Sequence, residues 1–127
     1  MTLEEIANAL AKACRTGGER KALEELYADD AVSVEALDQG MGREAPGKAA
    51  ISGKHDWWDE NFEVHEAETL GPFPHPATGD VPDRFALVFR LSATFKPTGE
   101  KSDMEEVGVY TVANGKIVRE EFFYGAA

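Results

Sequence analysis

The feature that most constrains the fold is a long, unbroken alternation of apolar residues in the second half of the chain. Along the segment Arg84–Lys96, the alternate positions are Phe85, Leu87, Phe89, Leu91, Ala93 and Phe95. A period of two is typical of a β-strand, in which such residues share one face. Because Val88 also makes the other face partly apolar, both faces of the predicted sheet need a covering layer.

Helices that supply one such layer are predicted at the start of the chain. Thr2 and Glu5 match a capping box. Apolar residues then recur at helical spacing in Leu3, Ile6, Ala7, Leu10 and Cys14. This helix is expected to end near Thr16, before two glycines. A second short helix, expected to end near Asp29–Asp30, completes a helical hairpin.

The rest of the chain is predicted to hold one further helix and five strands. Expected are a strand at Ala31–Ala36, a loop at Leu37–Pro46, a helix from Gly47 to Asn61, and strands at Phe62–Leu70, Arg84–Lys96, Lys101–Ala113 and Lys116–Tyr124. Asn114–Gly115 favours a type I′ turn between the last two strands. The prolines of Gly71–Pro76 predict a stiff loop outside regular strand pairing. The predicted fold class is α+β, one domain over residues 1–127, with a mainly antiparallel sheet curling over the helices.

The composition argues against several kinds of partner. Thirteen Lys and Arg against 24 Asp and Glu give a net charge of −11, which disfavours binding to nucleic acid and anionic lipid. No apolar segment is long enough to span a bilayer, and the N-terminus lacks the pattern of an export signal. Because Cys14 is the only cysteine, no internal disulfide can form, and a cytoplasmic location is expected.

Neither a cofactor nor a metal ion is expected. The sequence contains no glycine-rich phosphate loop and no cysteine cluster. His55 and Asp59 are four residues apart on the predicted third helix, but no third and fourth ligand follow at suitable spacing.

Two glutamates are candidate catalytic groups. Glu35 shares one face of its strand with Ser33, opposite Val32 and Val34. If this face is buried, the carboxyl acquires a raised pKa that suits a general base; the alternative is an edge glutamate in water. Glu120 is on the last strand, whose two faces are both mixed, so alternation alone does not decide which one is buried. Glu120 and Glu121 are alternatively paired with Arg or Lys across the sheet.

Aromatic residues and a histidine complete the set of candidates. His55 falls in the apolar stripe of the third helix, where it serves either as a proton-transfer group or as a core residue. Several aromatic side chains are suited to contact with a planar or apolar ligand. The alternative is that they pack in the hydrophobic core. These side chains are Trp57, Trp58, Phe62, Phe122 and Tyr124.

The order of elements and several motifs resemble the SnoaL-like branch of the ketosteroid isomerase and nuclear transport factor 2-like superfamily. The motifs are Leu26–Ala31 at the end of helix two, Val109–Tyr110, Gly115–Ile117 and Arg119–Phe122. The resemblance covers nearly the whole chain. It implies a cone: a strongly bent sheet around a pocket that the helices roof. It does not imply one activity, because the superfamily includes isomerases, cyclases, dehydratases, hydrolases and non-catalytic modules.

The resemblance also implies roles for individual residues. Glu35 falls where the isomerases carry their catalytic base, whereas Ala11 and Val107 fall where they carry the two donors of an oxyanion hole. The family register turns Glu120, Phe122, Tyr124 and His65 inward, so that Glu35 and Glu120 approach one another. Arg90, if it also points inward, is a counter-ion for either glutamate. A homodimer through the sheet faces is the usual arrangement in the superfamily.

The resulting functional expectation is a pocket protein that takes a small apolar organic molecule. The predicted lining is Tyr27, His55, Trp58, Phe122 and Tyr124. As an enzyme, the protein would be an isomerase, cyclase or hydrolase without a cofactor. Glu35 would be the general base, and Glu120, His55 or His65 would donate the proton. The alternatives are a binding module that uses the same pocket without chemistry, and a pure association domain.

Overall fold

The chain forms three helices and six strands in the computed structural model, which describes residues 1–38 and 40–125. In chain order they are α1 (Leu3–Thr16), α2 (Glu19–Leu26), β1 (Tyr27–Val34), β2 (Glu44–Pro46), α3 (Lys48–Asn61), β3 (Phe62–His75), β4 (Asp83–Phe95), β5 (Glu100–Ala113) and β6 (Lys116–Phe123). The strands form one sheet in the order β2-β1-β6-β5-β4-β3. Only β1 and β6 pair in parallel. The predicted α+β class and mainly antiparallel sheet are confirmed, and the sheet is open.

One face of the sheet packs against the helices and is called the inner face below. Its buried strand residues include Phe85, Leu87, Tyr110 and Ile117, and the helices bury Ile6, Leu10, Leu23 and Ile51 against them. The opposite, outer face carries the alternate positions of the same strands. Among the described residues, no helix has both the length and the apolar character needed to cross a membrane.

Short-range signals in the sequence are confirmed at both ends of the chain. The Thr2 hydroxyl accepts a hydrogen bond from the Glu5 backbone, and the Glu5 carboxylate accepts one from the Thr2 backbone. Asn114 and Gly115 have φ values of 52° and 74°, as the predicted hairpin turn requires. These features depend only on residues close in sequence, which is why the sequence predicts them correctly.

The second helix, the strand after it and the loop that follows differ from the prediction. Helix α2 ends at Leu26, and the next four residues already belong to β1. Tyr27 pairs with Ile117 of β6, so strand pairing outweighs the local preference for a longer helix. The predicted loop Leu37–Pro46 contains the short strand β2, which pairs with β1; within that loop, Gln39 lies outside the described residues.

The predicted loop Gly71–Pro76 is also corrected. Strand β3 continues to His75, and Phe73, Pro74 and His75 pair with β4 after a shift in register. Because β3 is an edge strand of the sheet, a proline there need not donate to a neighbouring strand. The prolines therefore do not end the pairing as expected.

A break in alternation near Ile117 decides which face of β6 is buried. Thr111 pairs with Arg119, but the next residue, Val112, pairs with Ile117, so Val118 is an extra residue in β6. Such a bulge changes which residues share a face. Both Ile117 and Glu120 are consequently buried, although strict alternation assigns them to opposite faces.

Candidate functional site

Glu120 on β6 is a buried carboxylate on the inner face. The residue is only 4% exposed. The Tyr27 hydroxyl donates a hydrogen bond to Oε1, and the Ser33 hydroxyl donates one to Oε2 at 2.7 Å. Ser33 lies directly opposite Glu120 in the parallel β1–β6 pair. Burial of this carboxylate is tolerated because both of its oxygens accept hydrogen bonds.

Lys54 on α3 links this buried group to the surface. Its Nζ donates to Ser33 Oγ at 2.7 Å and forms an ion pair with Glu35 Oε1. The Lys54 and Glu35 side chains are 27% and 29% exposed. The ion pair therefore lies at the boundary between the protein interior and solvent.

Glu35 has a second partner in Tyr124, whose hydroxyl donates to Glu35 Oε2 at 2.9 Å. Burial, aided by this hydrogen bond, raises the pKa of Tyr124 to about 12, so the hydroxyl keeps its proton at neutral pH. One continuous chain of contacts results, which is called the carboxylate network below. Its members are Tyr27, Ser33, Glu35, Lys54, Glu120 and Tyr124.

A third carboxyl, that of Glu106 on β5, lies near the network. Glu106 shares the inner face with Gly108 and Tyr110, since these positions alternate along the strand. Burial raises the pKa of Glu106 to about 7; the negative charge of Glu35 adds to the rise and the positive charge of Lys54 opposes it. A carboxyl with a pKa in this range both accepts and donates protons at neutral pH.

Aromatic rings line the inner face beside the network. The Phe122 ring centroid is 5.3 Å from Lys54 Nζ. Tyr110 meets the Phe122 ring edge-on at 6.3 Å and stacks on Phe85 at 4.9 Å. A Cβ at Gly108 would come within 2.8 Å of the Tyr110 hydroxyl oxygen. The absence of a side chain at Gly108 therefore lets Tyr110 lie across the inner face.

Four of the predicted site residues meet in this network. They are Glu35 and Glu120, predicted as catalytic, and Tyr27 and Tyr124, predicted as pocket residues. Glu35 and Glu120 are connected through Lys54 and Ser33 rather than by a direct hydrogen bond. Glu121 points away from the network, with Arg119 3.6 Å from its carboxylate. The catalytic and ligand-binding roles of these residues stay predictions.

The two other predicted pocket residues on α3 are placed differently. His55 is half-buried, and burial lowers its pKa while the charge of Glu120 opposes the change. His55 is thus within electrostatic reach of the network. Trp58 instead stacks on Phe62, with ring centroids 4.2 Å apart. Its observed contact is with an aromatic residue at the start of β3.

The predicted inward orientation of His65 is corrected. His65 is exposed and lies 2.7 Å from the Thr94 hydroxyl through Nε2. Thr94 alternates with the buried Ala93 and so belongs to the outer face. The register shifts between Val64 and Glu66, which leaves His65 as an extra residue in a bulge and turns it outward. His65 is not part of the network.

Two residues of this region, Lys54 and Glu106, were missed by the sequence analysis. Each takes a place for which another residue was considered. The basic partner of Glu35 is Lys54, whereas Arg90 is exposed and pairs with Glu105 on the outer face. The carboxyl on β5 is Glu106, one position before Val107. Alternation from Tyr110 would have placed Glu106 inward, and Lys54 lies at helical spacing from the buried Ile51.

The arrangement is suited to proton transfer. Glu35 is a carboxylate that solvent reaches, Glu106 exchanges protons near neutral pH, and Lys54 supplies positive charge between the carboxylates. Such a combination is typical of general acid–base sites. Within residues 1–38 and 40–125, no group of three or more His, Cys, Asp or Glu side chains is arranged to hold a metal ion.

Solved structures similar to this chain share its fold over nearly their whole length. A Mesorhizobium loti protein, provisionally described both as a SnoaL-like polyketide cyclase and as a carbohydrate phosphatase, is 43% identical, with a TM-score of 0.86 and coverage of 98% of this chain and 100% of that one. A nuclear transport factor 2-like protein from Burkholderia thailandensis is 19% identical, with a TM-score of 0.79 and coverage of 98% and 92%.

A third similar structure contains a small ligand. This protein, from Catenulispora acidiphila, has a ketosteroid isomerase-like fold and is in complex with trimethylamine; it is 22% identical, with a TM-score of 0.67 and coverage of 95% of this chain and 85% of that one. A search of curated proteins finds no match. The model of the SnoaL-like domain matches residues 1–124. The chain therefore belongs to the SnoaL-like domain family.

Proposed function

We propose that this protein is an enzyme that carries out general acid–base chemistry on a small, mainly apolar organic molecule, as an isomerase, cyclase or hydrolase. The observation that carries the proposal is the position of Lys54, which pairs with Glu35, is linked to Glu120 through Ser33 and acts electrostatically on Glu106. In this assignment Glu35 is the general base. Glu106, added to the candidates by the structure, returns the proton, and the buried Glu120 orients Ser33 and Tyr27.

The assignment follows from access and proton affinity. Glu35 is partly exposed, so a substrate can reach it, whereas Glu120 has both oxygens occupied and is almost fully buried. Glu106 has a pKa of about 7, which allows it to hold a proton at the start of a cycle. An accessible carboxylate beside a carboxyl that holds a proton provides a base and an acid in one site.

The surroundings favour an apolar substrate. The Phe122 ring lies beside the charged groups, and such mixed surroundings are typical of sites for organic molecules. A phosphate ester is disfavoured because the nearby carboxylates repel a phosphate dianion. We therefore carry over to this chain the cyclase description of the Mesorhizobium loti protein as a class of chemistry and leave its phosphatase description aside.

Proton exchange with solvent tests the proposal without knowledge of the substrate. Ketones, β-keto esters and enones would be incubated with the protein in D2O, and loss of α-proton signals would be followed by NMR. Epoxides and lactones would be tested in parallel for hydrolysis. We expect activity in the wild type on at least one of these classes, and a loss of about 100-fold or more in Glu35→Gln.

A matched control is Glu105→Gln, which removes a carboxylate from the outer face and should leave the rate unchanged. Equal rates in wild type and Glu35→Gln would contradict the assignment of the base. If compounds bind, as seen by ligand-observed NMR, but none reacts, the alternative of a non-catalytic binding module replaces the enzyme.

We also propose that the outer face is covered by a second copy of the chain. Leu70, Val88, Val107 and Phe123 form one cross-strand row there, and Phe123 is 50% exposed. Burial of such an apolar row stabilises association. Sedimentation should detect a dimer in the wild type and a monomer in Val107→Glu. A wild-type monomer at high concentration would contradict the proposal.

A cytoplasmic location also stays a prediction.

A further inference from the structure

Lys54, the basic member of the carboxylate network, has an N–H donor to spare. Lys54 Nζ contacts Ser33 and Glu35, whereas an ammonium group has three N–H donors. Both tyrosine hydroxyls of the network are committed, Tyr27 to Glu120 and Tyr124 to Glu35. With a side chain 27% exposed, Lys54 is the network cation that an entering molecule can touch.

We propose that Lys54 is a catalytic residue that binds the substrate carbonyl oxygen and stabilises the enolate formed from it, so that the substrates are carbonyl compounds with an acidic α-carbon. This inference rests on the proposed acid–base function and narrows its substrate class. It assigns the task of an oxyanion hole to a lysine on α3. Ala11 and Val107, at the positions where the family resemblance would place such donors, carry no polar side-chain group.

The charge balance of the step favours this role. Before reaction, the carboxylate of Glu35 is paired with the ammonium of Lys54. The base takes the α-proton; the C–H electron pair becomes the C=C bond, and the carbonyl π electrons move to oxygen. The product state holds a neutral Glu35 carboxyl and an enolate paired with the same ammonium. The negative charge thus moves from Glu35 to the substrate oxygen, and both groups are paired with Lys54. No isolated charge forms in the partly buried site.

Two contacts hold Lys54 in place for this step. Ser33 accepts a hydrogen bond from Nζ at 2.7 Å and is itself anchored on Glu120 at 2.7 Å. This second contact does not depend on the charge of Glu35, so Lys54 keeps a partner when Glu35 is protonated. The Phe122 ring near Nζ offers an apolar surface for the carbon skeleton of the substrate.

Binding of 4-nitrophenol tests the inference, because its phenolate mimics an enolate and absorbs visible light. The protein would be titrated with this probe across pH, and the pKa of the bound probe would be measured by absorbance. We expect wild type to prefer the phenolate over the phenol by about tenfold or more. Lys54→Met should abolish the preference, and Lys54→Arg should keep part of it. The exposed Lys12 provides the matched control, and Lys12→Met should behave as wild type.

Three outcomes would overturn the inference: no binding of the probe to wild type, binding of the neutral phenol in preference, or an unchanged preference in folded Lys54→Met. Circular dichroism of each variant verifies folding, and retention of the preference in Lys54→Arg separates charge from structure. The α-proton exchange assay on the same proteins distinguishes the two proposals. Exchange that persists in Lys54→Met defeats only the role of Lys54, whereas absence of exchange and hydrolysis in wild type defeats the proposed function itself.

Discussion

Two carboxylates of the same network, Glu120 and Glu35, are stabilised in opposite ways. Glu120 is 4% exposed and accepts hydrogen bonds from two neutral hydroxyls. Glu35 is partly exposed and pairs directly with a cation as well as with the Tyr124 hydroxyl. Lys54 and Ser33 join the two groups.

The difference separates the Glu120 end of the network, which we expect to be structural, from the Glu35 end, which we propose to be reactive. A buried carboxylate without a direct counter-ion depends on every hydrogen bond it accepts, because water cannot replace a lost donor. A partly exposed ion pair tolerates loss of a partner better, since solvent screens the remaining charge. Changes at the Glu120 end should therefore affect stability, and changes at the Glu35 end should affect reactivity.

The largest expected effect on stability is that of Glu120→Ala. It leaves the Tyr27 and Ser33 hydroxyls without their acceptor in a dry site, and we expect a loss of about 3 kcal/mol in the free energy of unfolding. Urea denaturation measures it. Glu120→Gln keeps an acceptor and should lose roughly half as much.

The neighbouring Glu121→Ala is a matched control for that prediction, because Glu121 faces away from the network beside Arg119. Its expected cost is below about 0.5 kcal/mol. Equal losses in Glu120→Ala and Glu121→Ala would show that the hydrogen bonds of Glu120 contribute little.

Glu106 extends the comparison to a carboxyl that is largely buried. Its pKa is raised in the folded protein from 4.5 to about 7, so between these pH values the folded state binds more protons than the unfolded state. Stability from this group is thus greatest below the unfolded pKa and falls as pH rises through the window. We expect Glu106→Gln to be more stable than wild type at pH 8 by about 2 kcal/mol.

The measurement for Glu106 is urea unfolding of wild type and Glu106→Gln between pH 4.5 and pH 8. The difference between the two proteins should grow through this window and level off above pH 7. Glu105→Gln, on the exposed outer face, is the control. Parallel stability curves for wild type and Glu106→Gln would contradict a raised pKa.

A pair of tyrosine variants compares the two ends of the network with the same chemical change. Tyr27→Phe removes a buried donor to Glu120 and should cost about 1.5 kcal/mol. Tyr124→Phe removes a less buried donor to Glu35 and should cost about 0.5 kcal/mol. Thermal unfolding at pH 7 checks both. The opposite order would reverse the assignment of structural and reactive ends.

The smallest effect is expected on the outer face. Arg90 Nε lies 2.6 Å from Glu105, and the two side chains are 55% and 63% exposed. In the monomeric variant Val107→Glu, in which this face stays open to solvent, Arg90→Ala should change stability by less than about 0.5 kcal/mol, and added salt should remove the difference. A cost as large as that of Tyr27→Phe would show that geometry, rather than burial, sets the strength of these contacts.

Much of the fold was predictable, and the error at His65 in the candidate site has a local structural cause. Regular alternation correctly placed Ser33 and Glu35 together, and the family resemblance correctly turned Glu120 inward. The error at His65, and the face of β6 that alternation left undecided, both occur where a bulge adds a residue to a strand. A single extra residue changes the face of a side chain, and nothing in the local sequence announces it.

By itself, the sequence determined the helical hairpin, the Asn114–Gly115 turn and the long alternating strands, because each depends on neighbours along the chain. Tertiary structure alone decided which charges meet. Lys54 comes from α3, Ser33 from β1 and Glu120 from β6, and their contacts exist only once strand pairing and helix packing bring these elements together. The energy of a buried carboxylate depends on those distant partners, which is why its environment could not be derived from the residues around it in sequence.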